Sequence, residues 1–335
     1  MSINIAINGF GRIGRNAFKI ASTKPMLNIV SVNDLTDAKT LAHLLLYDTN
    51  YGKYGESVKV EGSDLVVNSK KILVHAEKDP KLLPWKKENI DVVLECTGRF
   101  TDPSMAKDHI QAGAKKVIIS APAKGDGAAT VVMGVNSHSY GKNDIISNAS
   151  CTTNCIAPVA QILVENFGVK KAMMTTIHSY TADQNLQDGP HKDLRRARSA
   201  GMNIVPTSTG AASAANLVVP ELKGLFDGLA IRVPTSVVSL ADFTFLLKKK
   251  TDVKSVNAVF KKAVDKMKRY DGILSYTEEP LVSSDFIGSP YSSIVDLSLT
   301  QVVDGDLVKV VAWYDNEWGY ANRLVEEAML VGQSL

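Results

Sequence analysis

"INGFGRIGRNAFKIAS", residues 7–22, decides the fold. The run "INIAING" before and into it reads as a strand, and Gly9, Gly11 and Gly14 follow in the spacing G-x-G-x-x-G. Ile13, Ala17, Ile20 and Ala21 then recur at helical intervals, giving a helix with one apolar face. A glycine turn between strand and helix lets a pyrophosphate approach the backbone closely, and the helix N-terminus favours its charge. The next apolar run, "LNIVSVND", ends at Asp34, twenty residues after Gly14. An acid in that place can accept hydrogen bonds from an adenosine ribose. The combination predicts a dinucleotide site, and the Asp34 carboxylate, by repelling a 2′-phosphate, favours NAD over NADP.

Outward from this unit, strands and helices continue to alternate. "DAKTLAHLLLYD" reads as a second helix, and "SVKVEG", "DLVVNSK" and "KILVHAE" as a small antiparallel excursion. Strand "DVVLECTG", helix "DPSMAKDHIQAGA" with Asp102 as cap and Pro103 first, and strand "KKVIISAP" complete the pattern. Such alternation implies a Rossmann-type, doubly wound, mostly parallel sheet. After residue 168 the texture changes to long β-rich runs, among them "KKAMMTTIHSY", "SVVSLADFTFLLKK", "SSIVDLSLTQVV" and "LVKVVAWYD". These predict a second α+β domain with a mainly antiparallel sheet, covered by helices "NLVVPEL" and "VKSVNAVFKKAVDKMK". A last amphipathic helix is expected at "ANRLVEEAML". Between residues 181 and 205 lies a long, weakly periodic loop with Arg195, Arg196 and Arg198, and a loop of that length is usually functional.

Composition narrows the function classes. The 335 residues suit about two domains, and 45% hydrophobic with 22% charged residues is ordinary for a globular protein. A net charge of +3 does not argue for nucleic acid or membrane as the main partner. The opening residues lack a secretory pattern and no apolar run is long enough to span a bilayer, so a cytoplasmic location is expected. Three cysteines, Cys96, Cys151 and Cys155, make no disulfide framework. Cys96 reads as a small core residue in an apolar strand. Cys151 and Cys155 lack further ligands at metal spacing, so no metal site is expected.

"SNASCTTNCIAPVAQILVENFG", residues 147–168, carries the second signal. Ile156, Val159, Ala160, Leu163, Val164 and Phe167 keep helical register, Ser150 is the natural N-cap and Gly168 the stop, with a kink expected at Pro158. Cys151 then occupies the first helical position, where the helix dipole should make its thiol more acidic. Of the six histidines, His178 differs by ending the apolar strand "AMMTTIH" just before the long loop. A base there could take the thiol proton, although nothing local brings Cys151 and His178 together. Ser150, Thr152, Thr181, Thr209, Arg196 and Arg232 are candidate anion binders around them.

"INGFGRIGR", "SNASCTTNCIAP", "HSYTADQ", "HKDLRRARSAGMNIVPTSTGAA" and "WYDNEWGYANR" together resemble phosphorylating glyceraldehyde-3-phosphate dehydrogenase. The likeness runs from residue 3 to the C-terminal helix. It implies an NAD-binding domain over residues 1–150, completed by the helix of 316–335, and a catalytic domain over 151–315. It implies a cytoplasmic homotetramer that oxidises glyceraldehyde 3-phosphate with NAD and inorganic phosphate through a cysteine thioester. Cys151 would be the nucleophile and His178 its base, with Cys155 a second helix cysteine that is not the nucleophile. Thr181 and Arg232 would hold the substrate phosphate, and Ser150, Thr152, Arg196, Thr209 and Gly210 the attacking phosphate. For NAD the resemblance implies Arg12 and Ile13 of the glycine loop, Asp34, Lys78, Ser120 and Asn316. Gly189, before Pro190 in the long loop, departs from the bulky apolar residue of many NAD-using bacterial members and loosens the expectation of strict NAD selectivity. The rival readings are oxidation of erythrose 4-phosphate within the same class and, in a different class, RNA binding through the dinucleotide groove.

Overall fold

The glycine turn folds as its spacing implies: β1 (Ile3–Asn8) runs into α1 (Arg12–Ala21) with Gly11 as N-cap. The computed structural model describes residues 2–335. They divide into a first unit of residues up to Val131, Ser137–Ala149 and Ala321–Leu335, and a second of Val132–Asn136 and Ser150–Tyr320.

In the first unit, β2 (Leu27–Asn33), α2 (Ala38–Leu46) and the short ribbon β3 (Tyr47–Asp48) with β4 (Gly52–Lys53) follow α1. Then come β5 (Val58–Glu61), β6 (Asp64–Val67), β7 (Lys70–His75), β8 (Val92–Glu95), α3 (Pro103–Gln111), β9 (Lys116–Ile119), β10 (Ala129–Thr130) and β11 (Ile145–Ser147). Nine strands form one sheet in the order β10–β11–β9–β8–β1–β2–β7–β6–β5. Every pair from β10 through β7 is parallel, and only β5, β6 and β7 pair antiparallel. The antiparallel excursion is therefore the edge of the main sheet, since β7 also pairs with β2. β8 and β9 are buried at every residue, as parallel strands covered on both faces are. Asp102 caps α3, its carboxylate accepting from Ser104 N–H at 2.8 Å, with Pro103 in the first turn. Near the far end of the chain, Gly332 lies so close to Ile3 that an added Cβ would stand 2.6 Å from its side chain.

The second unit begins with α4 (Cys151–Phe167), capped by Ser150, which accepts from Thr153 N–H at 3.0 Å. Gly168 ends it with φ of 66°, and the helix is unbroken through Pro158. β12 (Val169–Ser179), β13 (Val205–Ser208), α5 (Ala211–Val218), β14 (Phe226–Val233), β15 (Ser239–Leu247) and α6 (Val253–Lys266) follow. β16 (Leu274–Thr277), β17 (Ser293–Asp296), β18 (Gln301–Val303), β19 (Leu307–Tyr314) and α7 (Trp318–Gly332) complete the chain. The sheet order is β13–β14–β12–β15–β19–β17–β16, with β18 on β19, and only β12/β14 and β16/β17 are parallel. β15 shows the cause: Ala241, Phe243, Phe245 and Leu247 are buried while the residues between them are less so, the period-two pattern of a one-faced strand. Two sequence expectations shift. The helix expected at "NLVVPEL" starts earlier, because the small residues Ala211–Ala215 pack as its buried first turns before Pro220 breaks it. α7 likewise starts earlier, at Trp318.

The three turn glycines differ in what they face. Gly9 has φ of +92°, and a Cβ on Gly14 would sit 2.1 Å from the Gly9 carbonyl oxygen. Gly11 has nothing within 4 Å of that position. Gly14→Ala should therefore lower stability by ~1–3 kcal/mol, despite alanine's better helix propensity. Gly11→Ala should stay within about 0.5 kcal/mol of the parent. Chemical denaturation of both variants checks this, and equal midpoints would refute the close-packing argument.

Candidate active site

A groove in the first unit opens at the C-terminal ends of β1, β2 and β8. Asn8, Gly9, Gly11, Asn33, Asp34, Lys78 and Thr97 are among its lining residues. Its chemistry suits a dinucleotide. α1 carries no side-chain cap and no acid in its first turn, so its N-terminus is electrostatically open to a phosphate. The space over Gly11 is clear for a ligand backbone. Asp34 does more than point at a ribose: its carboxylate accepts from Phe10 N–H at 2.8 Å and from Thr36 N–H at 3.0 Å. One oxygen thus ties the glycine turn to the end of β2.

Of the residues implied by resemblance, the groove gathers Gly9, Gly11, Asp34 and Lys78. Gly14, Arg12 and Ile13 lie in the first turn of α1 behind it, with the Arg12 guanidinium on Asp48 at 2.5 Å. Ser120 follows β9. Asn316 lies in the second unit, where its Oδ1 accepts from Ser239 Oγ at 3.0 Å. Cys96 corrects its sequence reading: it stands one residue past β8, intermediate in exposure and on the groove wall rather than in the strand core.

In the second unit the parallel pairing of β12 with β14 sets His178 beside Arg232 in register. Cys151, first residue of α4, brings its Sγ to 3.5 Å from His178 Nε2. His178 Nδ1 lies 2.7 Å from the Ser179 carbonyl, which can only accept, and 3.0 Å from Arg232 Nη1, which can only donate; assigning the hydrogen to Nδ1 satisfies the shorter contact and leaves the Nε2 lone pair facing sulfur. Arg232 Nη1 donates to the same carbonyl at 3.1 Å and to Thr181 Oγ1 at 3.4 Å. Its Nε is buried with no partner, an orphan donor suited to an anion. Arg196 donates to Thr207 Oγ1 at 2.9 Å and to the Ser208 carbonyl at 3.2 Å, and pairs with Asp183 and, at 3.6 Å, Asp193. Thr209 Oγ1 accepts from Ala211 N–H at 3.2 Å, and Gly210 caps α5 with open space where a Cβ would be.

Residues 3–103 match the family model for the glyceraldehyde 3-phosphate dehydrogenase NAD binding domain, and residues 150–316 match that for its C-terminal domain. A glyceraldehyde-3-phosphate dehydrogenase of Geobacillus stearothermophilus is 54% identical over 333 residues, covering 99% of this chain and 98% of its own. That of Bacillus cereus is 56% identical over 326 residues, with 97% of each covered, and that of Mycobacterium avium 53% over 343 residues, with both covered in full. The chain belongs to the glyceraldehyde-3-phosphate dehydrogenase family. The cofactor is accordingly NAD, and the groove over Gly11 fits it.

One electrostatic expectation is corrected. The helix N-terminus was expected to acidify Cys151, yet burial pushes its thiol above the ordinary value, and Arg232 and the Thr152 hydrogen bond pull it only part of the way back. Burial and the Arg232 guanidinium press the His178 imidazole down to about 3. Apart, then, the two groups rest as thiol and neutral imidazole. Thiolate becomes accessible when the proton crosses the hydrogen bond, because the product charges face each other. Cys155, one turn deeper, is fully buried against Ser293 Oγ at 3.5 Å, and burial pushes its thiol up to about 12.

Sequence reasoning missed Tyr314. Its hydroxyl joins Thr152 Oγ1 at 2.9 Å to Thr176 Oγ1 at 2.8 Å, and its ring meets the His178 ring edge-on at 6.0 Å. It sits inside the quoted "WYDNEWGY" segment, but only the β15/β19 pairing turns it toward the cysteine. At limiting iodoacetamide near pH 7, Cys151 should label far faster than Cys96 or Cys155. In His178→Asn the rate at Cys151 should fall at least ~10-fold, and its rise with pH should move to higher pH, since solvent must then take the proton of a thiol whose pKa is raised. Mass-spectrometric rates across pH test this; an unchanged profile would remove His178 as the base.

Proposed function

We infer that the chain catalyses the phosphorylating oxidation of D-glyceraldehyde 3-phosphate to 1,3-bisphosphoglycerate with NAD and inorganic phosphate. The observation that carries the reading is the 3.5 Å approach of Cys151 Sγ to His178 Nε2 beside the Arg232 guanidinium, whose Nε is buried without a partner. Cys151 adds to the aldehyde carbon, forming the S–C bond, while its proton passes by way of His178 Nε2 to the former carbonyl oxygen, which becomes the thiohemiacetal hydroxyl and leaves Nε2 free again. Thr152 Oγ1, 3.9 Å from Sγ, and the α4 N-terminus face the oxygen that gains charge. NAD, when bound, supplies the acceptor for the hydride that leaves this carbon. His178 takes the hydroxyl proton in that step, leaving Cys151 as a thioester. A thioester keeps the acyl group reactive enough for phosphate to displace sulfur and yield the acyl phosphate.

Two anion sites follow from the placement of the basic residues. Arg232 and Thr181 hold the phosphate carried by the triose, and Arg196, Thr209, Gly210, Ser150 and Thr152 receive the attacking phosphate. In the groove, Asp34, Lys78 and the glycine turn hold the adenosine half of NAD, with Arg12, Ile13 and Ser120 contributing at its walls; Asn316 is a further proposed NAD contact.

The protein is proposed to be a cytoplasmic homotetramer with no primary nucleic-acid partner. Leu186, Leu194, Met202 and Ile204 stand 70–83% exposed on the long loop, four large apolar side chains that a further copy of the chain would cover. No helix among the described residues is long and apolar enough to cross a membrane, and a catalytic thiol suits a reducing compartment. Sedimentation velocity should give a single species of four chains; a monomer at micromolar concentration would refute the assembly.

The activity is tested by NADH formation from glyceraldehyde 3-phosphate with and without inorganic phosphate. Turnover that ignored phosphate, or preferred erythrose 4-phosphate, would overturn the assignment. The two arginines separate the anion sites, because each stabilises a dianion at a different step. Arg232→Ala should impair glyceraldehyde 3-phosphate much more than unphosphorylated glyceraldehyde. Arg196→Ala should keep a burst of NADH, then turn over slowly with a raised KM for phosphate. Loss of the burst in both variants with phosphate dependence unchanged would refute the two-site assignment.

A further inference from the structure

Beneath the NAD groove lies a buried carboxylate with neither lysine nor arginine among its hydrogen-bond or ion-pair partners. Glu95, the last residue of β8, is 2% exposed. Its Oε2 meets Asn8 Nδ2 at 2.5 Å and His109 Nε2 at 3.1 Å. Its Oε1 accepts from the Thr97 backbone N–H at 2.8 Å and from the Thr97 hydroxyl. Four donors thus converge on two oxygens.

Three of the four donors cannot reverse, and only the Thr97 hydroxyl can rotate. The indole Nε1 of Trp85 donates to His109 Nδ1 at 2.9 Å, and an indole N–H can only donate, so the histidine hydrogen is on Nε2 and points at Glu95. Asn8 Oδ1 accepts from Asn33 Nδ2 at 2.6 Å, which leaves Asn8 Nδ2 as the donor to Glu95. Asn33 is itself fixed by the backbone, giving Nδ2–H to the Glu77 carbonyl and taking the Glu77 N–H on Oδ1, both at 2.9 Å. The Thr97 donor is a peptide. Asn8, Asn33, Glu77 and Thr97 all line the groove.

We propose that Glu95 is a positioning residue for NAD, its ionised carboxylate holding Thr97 and Asn8 in the groove floor through four oriented donors. The inference rests on NAD occupying this groove. The requirement is for two acceptor oxygens, not for volume. A glutamine of the same size offers one oxygen and one NH₂, and whichever way it turns, its NH₂ faces at least one donor that cannot turn away, the Thr97 N–H on one side or Asn8 and His109 on the other. The collision displaces either Thr97 or Asn8, both beside the glycine turn, and leaves the thiol chemistry of the second unit intact.

In the full-length protein, Glu95→Gln should raise the Kd for NAD, read by titration calorimetry, about tenfold, with the KM for NAD rising in step. Its kcat at saturating NAD should stay within about twofold. A residue serving only the core would lower the unfolding midpoint and leave NAD affinity unchanged, and that result would overturn the proposal. Thr97→Val keeps the buried carboxylate and removes one groove-facing donor, so it serves if the glutamine variant fails to fold. It should weaken NAD binding several-fold, and unaltered affinity would overturn the proposal equally. Gly11→Ala separates the underlying reading: unweakened NAD binding in that variant would mean the groove itself was misassigned. Weakened binding there with wild-type affinity in Glu95→Gln and Thr97→Val would sink only the role of Glu95.

Discussion

A 2.7 Å hydrogen bond from His178 Nδ1 to the carbonyl of the next residue, Ser179, decides what the second unit can do. It fixes the imidazole tautomer, and so leaves Nε2 as the lone pair that meets Cys151. The same carbonyl accepts from Arg232 at 3.1 Å, which also sets Nη1 3.0 Å from His178 Nδ1, so with the hydrogen on Nδ1 two donors share one acceptor. An arginine placed there opposes imidazolium, so His178 stays neutral until it receives the thiol proton. Ser179 is held in turn by its N–H to Ser239 Oγ at 3.1 Å and its hydroxyl to the Val238 carbonyl at 2.7 Å. Ser239 also donates to Asn316, so one short stretch of sheet edge orients the base and a proposed cofactor contact together.

Both units place their chemistry at a helix N-terminus, and the residue there determines the use. At α1 the first-turn position nearest the groove is a glycine with clear space above it, so a phosphate-bearing ligand can approach the backbone. At α4 the space is filled by a thiol, and Ser150 caps the helix through Thr153 N–H. The dipole is the same device in both; what differs is whether the helix leaves space for a ligand or presents a thiol, the proposed nucleophile.

Much of this was legible in the sequence, for identifiable reasons. The strand–glycine–helix unit, the cap of α3 and the span of α4 are local, because spacing, a capping oxygen and a terminating glycine act over a few residues. The alternating burial of β15 is equally local. The meeting of Cys151 with His178 is not, since it depends on α4 packing against a sheet whose order brings β12 beside β14. Tyr314 and the register of His178 with Arg232 are hidden for the same reason. Local reasoning also erred on the Cys151 thiol, where the helix dipole visible in the sequence is outweighed by burial that only the fold creates. Cys96 was misplaced by one residue, enough to move it from a strand core to a groove wall.

The two arginines show how similar residues become different sites. Arg232 has no carboxylate among its hydrogen-bond partners, and its Nε is buried without an acceptor, which supports its proposed role toward a substrate anion that stays through both steps. Arg196 is already shared between Asp183 and Asp193. An incoming phosphate there must displace or outbid a carboxylate, and part of its attraction is cancelled in advance. That arrangement fits a co-substrate that must arrive after the thioester has formed and depart as product. Burial lowers the basicity of His178 most, and both guanidiniums lower it further, Arg232 more than Arg196. Asp183 is exposed; partial desolvation raises its carboxyl, but Arg196 outweighs this and holds it below the ordinary value, so it offsets part of that guanidinium's charge.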